Sequence, residues 1–250
     1  MTELIGLVAA MRQESQALLG LVKDPRRSSL GNLPAWTFSI SGRSCVLVTS
    51  GMGVRRAAEA TRSLVEQYHP SVIITFGIAG AVENELEVGD VVLPEAYCRL
   101  EGHLPGEIRP LAAWPGEVRE AARRAIGGLN KRLYLGTAIT TNGSQVSQAQ
   151  LAGLPHPVLE METAGIARVA SENDIPVRSL RAISDGPDAP IPLDLGQVMD
   201  EDANLKVGKM LGVLLRNPKI LGQSMRMMSN SALAEKHAAV TLIAAIYAFN

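Results

Sequence analysis

The chain predicts an α/β fold: a central sheet whose strands alternate with helices. Three observations carry this. Short β-branched runs alternate with amphipathic helical patterns along the sequence. One run, Ser71-Val-Ile-Ile-Thr-Phe, is nearly all apolar, as a strand covered on both faces must be. No repeat, low-complexity tract or linker breaks the first 200 residues, so one domain over 1–205 is the simplest reading, with a helical extension over 206–250 packed on it.

In chain order, strands are expected at 4–10, 36–41, 44–50, 71–76, 90–93, 132–140 and 177–184. Gly42-Arg43 separates the second and third as a hairpin turn. Residues 54–68 carry Ala57, Ala58, Leu64, Val65 and Tyr68 at helical spacing, and 115–126 and 163–172 read similarly. The tail has three apolar helical stretches. Val207, Met210, Leu211, Leu214 and Leu215 form the first and Pro218 interrupts. Leu221, Met225 and Met228 make the second, and Val240, Ile243, Ile246 and Tyr247 the third.

Composition narrows the function classes. With 46% apolar and 20% charged residues the 250-residue chain is globular rather than disordered. A net charge of -1 provides no general attraction to nucleic acid or anionic membrane. Cys45 and Cys98, the two cysteines, lack metal-ligand spacing, so neither a zinc site nor a disulfide framework is expected and a reducing, cytoplasmic setting is. The opening apolar run is short and lacks a basic flank, unlike a signal peptide. No stretch reaches the roughly 20 apolar residues that span a bilayer, so no stable membrane insertion is expected.

Four places could carry chemistry. Glu14 follows the first strand, where open α/β sheets bind ligands, although helix N-termini attract acids in any case. Ser50-Gly51-Met52-Gly53 and Gly77-Ile78-Ala79-Gly80-Ala81 are glycine-rich strand ends that let a ligand approach the backbone. Neither is a P-loop or a dinucleotide fingerprint, and tight turns alone explain such glycines. Glu160-Met161-Glu162 sits at a strand-to-helix junction. Carboxylates there suit a vicinal diol such as the ribose 2′- and 3′-hydroxyls, or simply the helix end. Ser184-Asp185-Gly186 leaves an apolar strand. Buried, Asp185 could deliver a proton to a leaving group; otherwise Asp-Gly is a turn.

Taken together and in order, these segments resemble the nucleoside phosphorylase and nucleosidase superfamily. Within it the chain is most similar to methylthioadenosine/S-adenosylhomocysteine nucleosidases. The residues carrying the resemblance are Ile5 to Glu14, Ser50-Gly-Met-Gly53, Gly77-Ile-Ala-Gly80, Val88-Gly-Asp-Val-Val92, Thr141-Asn-Gly-Ser144, Glu160-Met-Glu162 and Arg181-Ala-Ile-Ser-Asp185. The resemblance implies a single three-layer α/β/α domain around a mixed, twisted, partly barrel-like sheet, and a homodimer. It implies a purine nucleosidase that needs no metal or organic cofactor, with a small-molecule purine nucleoside and water as its partners. Glu14 would activate the water, Glu162 hold the ribose hydroxyls with Met161 against the sugar, and Asp185, supported by Ser184, protonate the purine N7. Met52, Ala79 and Gly80 would line the sugar site beside Ile78. Glu160 joins the substrate-binding set, and Thr141 would offer backbone groups to the base.

The sequence departs from that pattern in three places. Ile78 stands where relatives commonly have serine or threonine, and the phosphorylases' Pro-Gly-Asp-Pro-x-Arg segment is missing. Both favour water over phosphate, with Arg55 or Arg56 keeping phosphorolysis as the rival. Thr140 stands in place of the base-stacking aromatic, which leaves the base as adenine or hypoxanthine. The stretch between Glu95 and Pro115 is shorter and the tail longer, which suits a bulkier or lipid-like 5′ group, or a dimer interface. A non-catalytic nucleoside-binding or membrane-associated protein is the remaining alternative; the three retained acids count against it.

Overall fold

In the computed structural model, residues 4–102, 104–142, 146–187 and 218–249 are described, with side chains of the last segment described from Arg226 onward. The elements, in order, are β1 (Leu4–Ala9), α1 (Arg12–Leu19), β2 (Arg26–Leu30), β3 (Leu33–Ile40), β4 (Arg43–Thr49), α2 (Val54–Tyr68) and β5 (Val72–Ala81). There follow β6 (Val91–Glu101), the two-residue β7 (Leu104–Pro105) and β8 (Arg109–Pro110), α3 (Gly116–Gly127), β9 (Leu133–Thr140), a 3₁₀ turn (Gln148–Leu151), β10 (Pro157–Glu160), α4 (Thr163–Ser171), β11 (Val177–Asp185) and α5 (Pro218–Tyr247).

The main sheet runs β10-β9-β6-β11-β5-β1-β4-β3-β2. β1, β4, β5 and β11 are parallel neighbours, β6 runs antiparallel to β11, and β9 and β10 run parallel to β6 and each other in turn. The end of β5 also pairs with β10, antiparallel, through Gly80 and Ala81. That extra pairing closes β5, β11, β6, β9 and β10 into a ring, so the sheet is open on one side and barrel-like on the other, as expected.

Side-chain alternation on β1 makes the layers. Ile5, Leu7 and Ala9 face a core shared with Leu18 of α1, Val118 and Ile126 of α3, and Ala234, Ala238, Leu242 and Ile246 of α5. Val8 faces the opposite core, with Ala57, Leu64 and Val65 of α2 and Ile166 and Ala170 of α4. Helices cover both faces, giving the three-layer α/β/α arrangement.

The structure corrects several boundaries. β5 continues to Ala81, so Gly77–Ala81 is strand rather than a turn after one, and β6 continues to Glu101. β2 was not expected, because Arg-Arg-Ser-Ser-Leu lacks an apolar pattern, whereas β10 is the four-residue strand whose end at Glu160 was expected as a strand-to-helix junction. Pro218 starts α5, a first-turn position that needs no N–H donor. The second and third apolar stretches of the tail are one helix. Its buried stripe is Ala238, Ala239, Leu242, Ala245 and Ile246, while Tyr247 is 60% exposed. The stretch at 206–216 lies outside the described residues. At the end of the chain Phe249 packs on Trp114, ring centroids 5.8 Å apart, and Trp114 Nε1 donates to the Ser179 carbonyl at 3.1 Å.

Candidate active site

β5 is the axis of the site. Its register with β11 sets Gly77 opposite Arg181, Ala79 opposite Ile183 and Gly80 opposite Asp185, while Gly80 also faces Leu159 of β10. Each acid expected to act approaches this strand or the loop beside it.

Glu14 lies in the first turn of α1, buried. One carboxylate oxygen accepts the Met11 N–H at 2.8 Å, capping its own helix; the other accepts the Ile78 N–H at 3.0 Å, 64 residues away. One oxygen thus caps the helix and the other reaches the strand that carries Gly77–Ala81. Burial pushes its pKa up, against the pull of those N–H groups and of Arg181. Gly77 makes room for it: a Cβ there would fall 2.2 Å from Glu14 Oε1. Gly77→Ala is expected to displace the carboxylate and lower kcat about 10–100-fold, on the scale of a misplaced catalytic group, together with a lower melting temperature from the clash, which steady-state kinetics well below that temperature would check.

Glu162 caps α4, and its Oε1 accepts the Gly53 N–H at 2.9 Å across 109 residues. This ties the Ser50–Gly53 loop, and Met52 on it, to the start of α4. Gly165 permits that approach, because a Cβ at 165 would lie 2.2 Å from the Val54 carbonyl oxygen. Burial first, then the negative charge of Glu160, push the Glu162 pKa up to about 7, and Arg181 and the Gly53 N–H oppose them. An unfolded glutamate ionises near 4.5, so the contribution of this group to stability is whole below that pH and is lost as pH rises through about 7. Glu162→Gln, which stays neutral and keeps the Gly53 hydrogen bond, is expected to be about 1–3 kcal/mol more stable than the native chain at pH 8 and equal to it near pH 4. Urea unfolding at the two pH values checks this.

Glu160 does something else. Its Oε2 accepts the Glu162 and Thr163 N–H groups at 3.0 and 2.8 Å, the Thr163 hydroxyl at 2.8 Å and Arg181 Nη2 at 2.8 Å. Its Oε1 is hydrogen-bonded to the Thr140 hydroxyl, which also accepts the Ala164 N–H at 3.1 Å. Arg181 Nη2 bonds Thr75 and Thr163 as well, and Glu160 and Arg181 form a fully buried ion pair. The side-chain oxygens of Glu160 and Thr140 are thus engaged with protein groups. The Thr141 N–H is likewise given to the Glu160 carbonyl at 2.7 Å.

Asp185 ends β11. Ser184 Oγ lies 2.5 Å from Asp185 Oδ1 and 3.3 Å from the Ala79 carbonyl oxygen. Burial pushes the Asp185 pKa up, and the Ser184 hydroxyl draws it down. A Cβ on Gly80 would be 3.0 Å from Asp185 Oδ2, which sets that carboxylate against β5. The structure therefore gathers Glu14, Ile78, Ala79, Gly80, Ser184 and Asp185 around the end of β5, with Met52, Met161 and Glu162 on the adjoining α4 side. Arg181 and Thr163, which the sequence reading gave no role, hold Glu160 in place. An arginine set between the apolar residues Leu180 and Ala182 of β11 was the available signal.

The family model of the phosphorylase superfamily matches residues 4–215. The chain belongs to the phosphorylase superfamily. Among curated proteins, this superfamily member is 30% identical over 227 residues to the 5′-methylthioadenosine/S-adenosylhomocysteine nucleosidase of Actinobacillus succinogenes, covering 84% of this chain and 97% of the relative. Its likeness to that of Shewanella sediminis is 27% over 210 residues, covering 78% and 91%. Among solved structures, the 5′-methylthioadenosine/S-adenosylhomocysteine nucleosidase of Neisseria meningitidis, in complex with methylthio-immucillin-A, aligns with a TM-score of 0.71 at 21% identity, covering 99% of this chain and 100% of that one. The futalosine hydrolase of Helicobacter pylori aligns at 0.71 and 16% identity, covering 98% of each chain. At these identities the structural likeness concerns the fold.

Proposed function

We propose that this superfamily member is a nucleosidase, hydrolysing the N-glycosidic bond of a 5′-modified adenosine-type nucleoside. The observation that carries the reading is the gathering of two buried carboxylates, Glu14 and Glu162, and the half-buried carboxylate of Asp185 around the end of β5. The name and coverage of the Actinobacillus relative support the substrate class.

Breaking the bond puts positive charge on the ribose and negative charge on the purine. Asp185, whose pKa burial raises, protonates N7 of the leaving base; Ser184 aims its carboxyl. Glu162 accepts hydrogen bonds from the 2′- and 3′-hydroxyls. Glu14, fixed by two backbone N–H groups, takes a proton from the water that attacks the anomeric carbon. Met52 and Met161 pack on the sugar, beside Ala79 and Gly80. Glu160, Thr140 and Arg181 form the frame that fixes Glu162.

Water rather than phosphate fits this acceptor site. The Ile78 N–H faces Glu14, and Ile78 has no hydroxyl to offer an anion. The buried cation, Arg181, is bound to Glu160. Arg55 pairs with Glu59 at the surface. A phosphate dianion would meet the carboxylates of Glu14 and Glu162, with Arg56, whose guanidinium lies beside Gly51, as the cation on the adjoining loop. Incubation with a panel of purine nucleosides, with and without phosphate, tests this. Free base and free sugar at the same rate in both arms are expected; a phosphate requirement with a sugar 1-phosphate product would establish phosphorolysis instead.

We further propose a cytoplasmic homodimer whose residues 206–250 belong with the body of the chain. Leu104 and Ile108, 63% and 52% exposed on and beside β7 and β8, support a covered surface there. No helix among the described residues is long and apolar enough to cross a membrane. Light scattering reads the oligomer.

A further inference from the structure

α5 packs against α1, the helix that carries Glu14. Glu14 and Leu18 lie one turn apart on α1, and Glu235 and Ala239 one turn apart on α5. Leu18 shares a core with Ala234, Ala238 and Ala239, and Ile78, whose N–H holds Glu14, packs against that same core. The helix pair therefore sets Glu235 of one helix beside Glu14 of the other, at the β5 end. Resting on the nucleosidase reading, we propose that Glu235 is a positioning residue: in its protonated form it faces Glu14 and orients the attacking water.

Arg181 and Glu162 also interact electrostatically with Glu14, at the site end of the pair. β3 and β5 carry no charged residue where α5 crosses them. On β11, Arg181 is bound to Glu160, Asp185 is engaged with Ser184, and Arg178 bonds the Ala113 carbonyl. On α3, Arg123 and Arg124 pair with Glu120, Arg119 reaches Glu95 of β6, and Glu117 is exposed. Arg12 and Lys236 are exposed, and His237 bonds the Gly89 carbonyl. Arg99 and Glu101 lie at the far end of β6. Half-burial, and then the negative charge of Glu14, push the Glu235 pKa up to about 7. A pKa of about 7 leaves Glu235 substantially protonated at neutral pH. Water between them gives a proton to Glu14 and accepts a hydrogen bond from Glu235, leaving a lone pair for the anomeric carbon. In the step, the water oxygen bonds that carbon, the bond to the base breaks, Glu14 takes the water proton, Asp185 supplies N7, and Glu235 keeps its own.

Two measurements test this. Carbon-13 NMR of labelled glutamate side chains should find Glu235 titrating near 7 in the native chain, and Glu14→Gln should move its midpoint down by at least half a pH unit. An unmoved midpoint overturns the proposal, and needs no activity to be read. In kinetics, the alkaline limb of kcat/KM should move up by at least half a pH unit in Glu235→Gln, which stays neutral, and should persist in Glu235→Asp. A limb unchanged in Glu235→Gln with KM alone altered assigns the residue to packing and overturns the role. If the native chain cleaves no nucleoside, the nucleosidase reading has failed, and the NMR result still decides whether the two carboxyls are coupled.

Discussion

Replacing Asp185 with asparagine is expected to lower kcat/KM for purine nucleoside hydrolysis by about 10²–10⁴-fold, the contribution of one positioned general acid. Asparagine keeps the shape of the side chain and can accept from Ser184 as Oδ1 now does. It has no proton to give to N7. Because burial already raises the aspartate pKa, the neutral replacement should leave the melting temperature unchanged or higher, separating chemistry from folding. Leaving-group dependence sharpens the test. A p-nitrophenyl riboside departs without protonation, so its cleavage should be reduced far less by Asp185→Asn than that of a purine nucleoside. Equal losses on both would mean that Asp185 shapes the pocket and does not donate.

The second large effect is on stability. Glu160→Gln removes the negative partner of Arg181, in a pair whose side chains are 0% and 1% exposed. Glutamine can still accept one or two of the hydrogen bonds that Glu160 takes from Thr163, Glu162 and Thr140. It cannot neutralise a buried guanidinium. Breaking such a pair from one side costs about 3–5 kcal/mol, visible as a shift in the urea midpoint at constant m-value. Activity should fall too, because the same carboxylate fixes the backbone of Glu162. A Glu160→Gln chain as stable as the native one would mean that Arg181 is satisfied elsewhere.

The contrast between Glu160 and Glu162 shows where sequence reasoning stops. Two acids flanking Met161 at a strand end look equivalent in sequence, and an extended chain would put both on one face. Glu160 is the last residue of β10, whereas Glu162 has left the strand, with φ −124° and ψ −39°, and turns to Gly53. Only the backbone turn tells the frame from the pocket. Glu14 and Asp185 were legible through the joint order of the segments rather than alone, since a helix N-terminus and a turn each account for such an acid. Ring closure was not legible from patterning: it rests on β10, four residues long, pairing with two residues at the end of β5. Glu235 was hidden within a helix whose apolar stripe read as packing, and its neighbour Glu14 is 221 positions away in sequence, a proximity that only folding creates.

The account depends on three acids sharing one sugar. A crystal structure of Glu14→Gln with an intact 5′-alkylthioadenosine bound measures this most directly. Glu162 should lie within hydrogen-bond reach of both ribose hydroxyls, Asp185 within reach of purine N7, and residue 14 beneath the anomeric carbon. A nucleoside seated elsewhere, or a ribose touching none of these side chains, would contradict it.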